Sequence, residues 1–116
     1  MLNDIPFKTK SQMTANLFIG NFDLGQVEFK IIDESMGVIG GQLIYNSTYS
    51  NFRNDIQNLS EKKGIVNSDD FAFSVWLDSK IKLVPEGGIG VTDLKDFDEI
   101  YVEVGGLEEK VINQFK

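Results

Sequence analysis

The sequence predicts an α+β fold: a single domain with a mainly antiparallel sheet, one long helix packed on a face and a short C-terminal helix. Three observations predict it. Short segments with period-two alternation recur between turn residues, as in hairpins. Only one segment, residues 46–64, keeps a helical period over several turns. Strands and helices do not alternate in the manner that a parallel sheet requires. The 116 residues suit one domain over 1–116, and an apolar share of 41% is enough to form a core.

The elements follow in order. Residues 1–12 are weakly patterned and read as an extended arm. Ala15 to Phe22 is apolar enough for a strand, and Asp23-Leu24-Gly25 reads as the turn after it. From Gln26 to Ile32, Val27, Phe29 and Ile31 face one way while Gln26, Glu28 and Lys30 face the other. Asp33 to Gly37 is a turn, and Val38 to Tyr45 a strand in which Gly40-Gly41 marks a bulge or a close backbone approach.

In the long helix, Tyr49, Phe52, Ile56 and Leu59 recur at steps of three and four, which is one face. Ser47, Thr48 or Ser50 is expected to cap its start, and Gly64 to end it after Lys62 and Lys63. Phe71 to Leu77 and Lys80 to Val84 form a hairpin around Asp78-Ser79. Phe73 lies on a central strand, and Ile81 and Leu83 point inward. Asp98 to Val104 is the last strand, with Ile100, Val102 and Val104 on the core side. Leu107 to Phe115 is a short terminal helix. The expected order is β-β-β-α-β-β-β-α.

The chemistry is bounded mostly by exclusion. The chain has no cysteine and no histidine. Thiolate nucleophiles, disulfides, Ser–His–Asp triads and ordinary zinc sites are therefore ruled out. No cofactor, metal site or catalytic residue is assigned. No apolar run is long enough for a membrane span, and the opening MLNDIPFKTKSQ lacks the run of a signal peptide, so a cytoplasmic location is expected.

The net charge of −7 is unevenly placed: residues 65–116 hold 11 acids against 5 bases. Such a surface repels phosphate backbones, which argues against nucleic acid, and attracts a basic partner.

The stretch PEGGIGVTDLKDFDEIYVEV, Pro85 to Val104, concentrates this charge. Its glycines do not make a phosphate loop, because the sixth position from Gly88 is Asp93 and no helix follows. Its acids lack calcium-loop spacing. Alternation puts Glu99, Tyr101 and Glu103 on one outward face, and Trp76 outward on its own strand. Aromatics that supply anchors and carboxylates that supply a field are the makings of a partner-binding patch. Its expected members are Asp93, Asp96, Asp98, Glu99, Tyr101, Glu103 and Trp76. Cross-strand pairing with Lys30, Lys80 and Lys82 would instead make the same residues an ordinary sheet face.

GGQLIYNSTYSNFRNDIQNLSEKKGI, DDFAFSVWL and PEGGIGVTDLKDFDEIYVEV together resemble the small acidic immunity proteins encoded beside bacterial toxins. The resemblance covers about residues 40–104 and carries no residue roles. It implies a non-catalytic protein that binds and neutralises a cognate toxin. Two other readings stay open on the sequence: a small carboxylate enzyme or divalent-ion module using the Asp93–Asp98 cluster, and a structural subunit that assembles through strand edges. The oligomeric state is left open as well.

Overall fold

The computed structural model describes residues 12–77 and 80–116. The expected arm therefore lies outside the described residues, apart from Gln12 at the start of the first strand, as does the Asp78-Ser79 turn. The strands are β1 (Gln12–Ile19), β2 (Phe22–Asp33), β3 (Val38–Tyr45), β4 (Val66–Asn67), β5 (Phe73–Leu77), β6 (Gly88–Thr92) and β7 (Tyr101–Gly105). The helices are α1 (Ser50–Lys63), preceded by a 3-10 turn at Ser47–Tyr49, and α2 (Glu109–Ile112), followed by a 3-10 turn at Asn113–Phe115. The strands form one curled sheet in the order β4-β6-β7-β3-β2-β1-β5, with every neighbouring pair antiparallel. The fold class is α+β, as the alternation predicts.

The sheet buries its concave side. Leu17, Val27, Phe29, Ile39, Val91, Val102 and Val104 are fully buried there, joined by Tyr49 and Ile56 of the helical segment and by Phe115 at the chain's end. Helix α1 packs against β6 and β4. Its expected face holds, with Tyr49 and Ile56 buried and Phe52 and Leu59 packed at the margin. Gly64 adopts φ +87°, the left-handed turn that ends the helix, and its N–H donates to the Ser60 carbonyl.

Several boundaries differ from the expectation. The first turn is Gly20-Asn21, so that Ile19 pairs with Phe22. Asp23-Leu24-Gly25 lies inside β2, where Gly25 takes φ +135° against the Ile44 carbonyl and a side chain would collide with the neighbouring strand. The 3-10 turn that leads into α1 is capped by Asn46, whose side-chain Oδ1 accepts from the Tyr49 N–H, while its Nδ2 donates to the Asp23 carbonyl.

Residues 80–84 do not form a full strand. One bridge, Trp76 to Lys82, and three backbone hydrogen bonds hold them along the free edge of β5. Leu83 points inward as expected, but Ile81 is exposed. Phe73 is buried, yet β5 is the last strand of the sheet rather than a central one.

Two strands escape the sequence pattern. β4 is only two residues long. β6 hides its alternation behind glycine: Ile89 and Val91 face the core while Gly88 and Gly90 face out. The Ile65 side chain lies over Gly90, within 2.9 Å of where a Cβ would stand.

Candidate functional site

The acids of the Pro85–Val104 stretch separate into two groups with opposite roles. Asp93 belongs to the interior. It is fully buried, directly after β6, and its carboxylate is met by three side chains from the helical segment. Tyr49 Oη donates to Oδ2 at 2.7 Å, Arg53 Nε to the same oxygen at 3.1 Å, and Gln57 Nε2 to Oδ1 at 3.2 Å. Its own N–H donates to Ser60 Oγ at 3.1 Å. A buried carboxylate is tolerated because each oxygen is satisfied and one partner is a cation.

Tyr49, Arg53, Gln57 and Ser60 recur at steps of four, four and three, a polar stripe beside the apolar one. That spacing is the signal that would have found the site. Burial, then the hydrogen bond to Asp93 and its charge, push the Tyr49 phenol well above its ordinary range. At Arg53 burial opposes the charged form, but the Asp93 charge and the Tyr45 hydroxyl outweigh it and raise the pKa. The Arg53 guanidinium also sits over the Tyr45 ring, 4.9 Å from its centroid.

Asp93 therefore leaves the expected partner-binding set, since a carboxylate with no exposed surface cannot meet a partner. It acts instead as a positioning residue. Together with Lys95 N–H donating to Glu61 Oε2 and Thr92 Oγ1 donating to the Gly64 carbonyl, it ties the start of the 93–99 loop to α1. The loop then turns outward, with Phe97 N–H donating to the Leu94 carbonyl, and exposes Asp96, Phe97, Asp98 and Glu99. The Asp93–Asp98 cluster does not assemble, because its first member points into the core. Among the described residues no group of three or more acids could hold a metal ion.

On the convex side of the sheet the outward alternation holds: Glu99 and Tyr101 are exposed and Glu103 is half-buried. Two grooves meet at Glu99 and Tyr101. One, of about 500 Å³, is lined by Thr92, Leu94, Phe97 and Asp98 as well. The other, of about 360 Å³, runs across β3 to β2 past Gly40, Ile44, Ile32 and Lys30. Phe97 is 62% exposed and Ile44 66%, so each groove has an apolar wall open to water, and the second also carries Glu28, Lys30 and Gln42. Burial, then the Glu103 charge, raise the Tyr101 pKa.

Trp76 stands apart. It is 38% exposed, but β1, β2 and β3 lie between its strand and that of Tyr101. Four strand spacings put the two aromatics about 19 Å apart along the sheet. Trp76 lines a separate groove of about 340 Å³ with Asn16, Phe18, Asp23, Leu77 and Lys80. The expected patch is thus reduced to Asp96, Asp98, Glu99, Tyr101 and Glu103, and it gains Phe97 and Ile44.

No protein-family model, curated protein or solved structure matches this chain. Among the described residues no helix is long and apolar enough to cross a membrane.

Proposed function

We propose that this protein is a non-catalytic binding protein that engages a basic protein partner through the convex face around Tyr101. The observation that carries the reading is the junction at Tyr101 and Glu99 of two open grooves with apolar walls at Phe97 and Ile44, one of them lined by Asp98, with exposed Asp96 and half-buried Glu103 close by in the chain. Apolar walls supply affinity once water is displaced, and the acids supply attraction and orientation. The partner class implied by the immunity-protein resemblance is a cognate toxin, which binding at this face would neutralise. The protein would do this in the cytoplasm.

Site-specific photo-crosslinking in the native cell tests the reading. A benzophenone side chain placed at Phe97 or Tyr101 is expected to capture one protein, and the same probe at Ile81 is not. Purified captured protein should inhibit growth or carry an activity that an equimolar amount of this chain abolishes. Capture from Ile81 as readily as from Phe97, or capture that survives neutralisation of Asp96, Asp98 and Glu99, would remove the support for this face.

A further inference from the structure

The Tyr101 ring leans across onto β3. Its hydroxyl lies over Gly40, and a Cβ at Gly40 would stand 2.8 Å from Tyr101 Cζ and 3.1 Å from Ile32 Cγ1. The absent side chain on β3 is the recess into which the phenol tip fits. A ring seated in this way presents a face to solvent and loses less rotamer freedom on binding than an unsupported one.

Carboxylates bracket it. Glu99 precedes it by two residues and Glu103 follows by two, on the same side of the chain. Glu103 is about 7 Å away along the strand direction, and Glu99 lies just before the strand begins. Neither makes an ion pair among the described residues. Glu28 and Lys30, from β2, line the far side of the second groove.

We propose that this ring is the landing platform for an arginine side chain of the partner, with Glu99 and Glu103 as its counter-charges and Phe97 and Ile44 as walls for its apolar stem. The inference rests on the binding reading above and names the chemistry of the occupant. A planar guanidinium can stack on a phenol face and donate to a carboxylate beside it, which a lysine ammonium does less well. The protein already holds one such arrangement internally, with Arg53 over Tyr45 and bonded to Asp93. The convex face repeats the phenol and the acids and leaves the place of the cation open to a partner.

The test is an NMR titration of the isotope-labelled full chain at low ionic strength with acetyl-Gly-Arg-Gly-amide. The lysine peptide and the uncharged citrulline peptide serve as comparisons. The arginine peptide is expected to give saturable shifts centred on the Tyr101 ring, Glu99 and Glu103. The lysine peptide should bind about threefold or more weakly, and the citrulline peptide should leave these signals still. Tyr101→Leu should abolish the preference for arginine. Glu103→Gln, which preserves side-chain shape, should weaken arginine binding alone. Equal shifts from the arginine and citrulline peptides, or shifts spread evenly over all exposed acids, would overturn the platform. Partner capture at Phe97 and Tyr101 with no arginine preference would sink the platform and leave the binding face standing. Loss of capture there would remove the face itself.

Discussion

The Tyr101 hydroxyl occupies the space that a side chain at Gly40 would fill, two ladder positions along β3 from Gln42, the residue that Tyr101 pairs with. Gly40→Ala should therefore dislodge the phenol tip, which can swing into solvent, and cost little stability. Gly41 is different. A Cβ there would press on the Glu28 carbonyl and stand 2.9 Å from Val27 Cγ1. Backbone cannot swing aside, so Gly41→Ala should open the β2–β3 ladder. Urea unfolding should place the Gly40 variant within about 1 kcal/mol of the native protein and the Gly41 variant about 2–3 kcal/mol below it. Equal losses would show that Tyr101 is not the neighbour that yields.

Removal of the Asp93 carboxylate leaves a phenol, a guanidinium and an amide without their acceptor. Asp93→Ala should cost about 3 kcal/mol, with Arg53 limiting the loss by turning toward water. Tyr49→Phe keeps the shape and removes one donor, and should cost about 1–2 kcal/mol. Denaturant unfolding checks both values. The Asp93 variant should also loosen the 93–99 loop, read as faster amide exchange at Lys95 and Phe97.

Alkaline pH should destabilise the fold through Tyr49. Its folded pKa is raised, so its contribution is fully present below the unfolded value of about 10 and is lost as pH climbs beyond it. Above that point the unfolded chain sheds a proton that the native chain keeps. Tyr101 is raised as well and adds to the same limb. Stability measured from pH 8 to 11 should fall less steeply in Tyr49→Phe, and least in the Tyr49→Phe, Tyr101→Phe double variant. A native-like slope in the double variant would mean that other groups control this limb.

The exposed acids and the aromatic platform should divide the binding kinetics between them. Asp96→Asn, Asp98→Asn and Glu99→Gln together should slow association, since they carry the field, which salt screens over about 8 Å. Tyr101→Ala should act on dissociation, where packed anchors make their mark. Surface kinetics with the captured partner at several salt concentrations separates the two effects. An association rate indifferent to both salt and the triple substitution would make these acids no more than a hydrated rim.

What was legible in the sequence was whatever announced itself by apolar period. The Val27-Phe29-Ile31 alternation, the Tyr49-to-Leu59 stripe and the Ile100-Val102-Val104 row could be placed because burial requires a repeating apolar side. β6 was missed because glycine on its outward positions looks like a turn until Ile65 is seen covering Gly90. Asp93 was grouped with its exposed neighbours because a charged residue is seldom fully buried. Its partners lie 33 to 44 residues away, a separation that local pattern does not reveal. Alternation alone puts Trp76 and Tyr101 on one patch, because strand order depends on long-range pairing, which the spacing of turns leaves undetermined.

The strand order also has a consequence for how this chain is made. A ribosome delivers β1, β2 and β3 first, and they can zip together as they emerge. The outer edge of β3 must then wait for β7, since on that edge Ile39 pairs with Val104 and Gln42 with Tyr101. Until then a ladder of bare amides and carbonyls, with apolar side chains on its concave side, faces the crowded interior of the cell. Helix α1 is synthesised during this interval, but its Asp93 acceptor has not yet arrived. The sheet can therefore close only after residues 64–105 have followed and β7 takes its place beside β3.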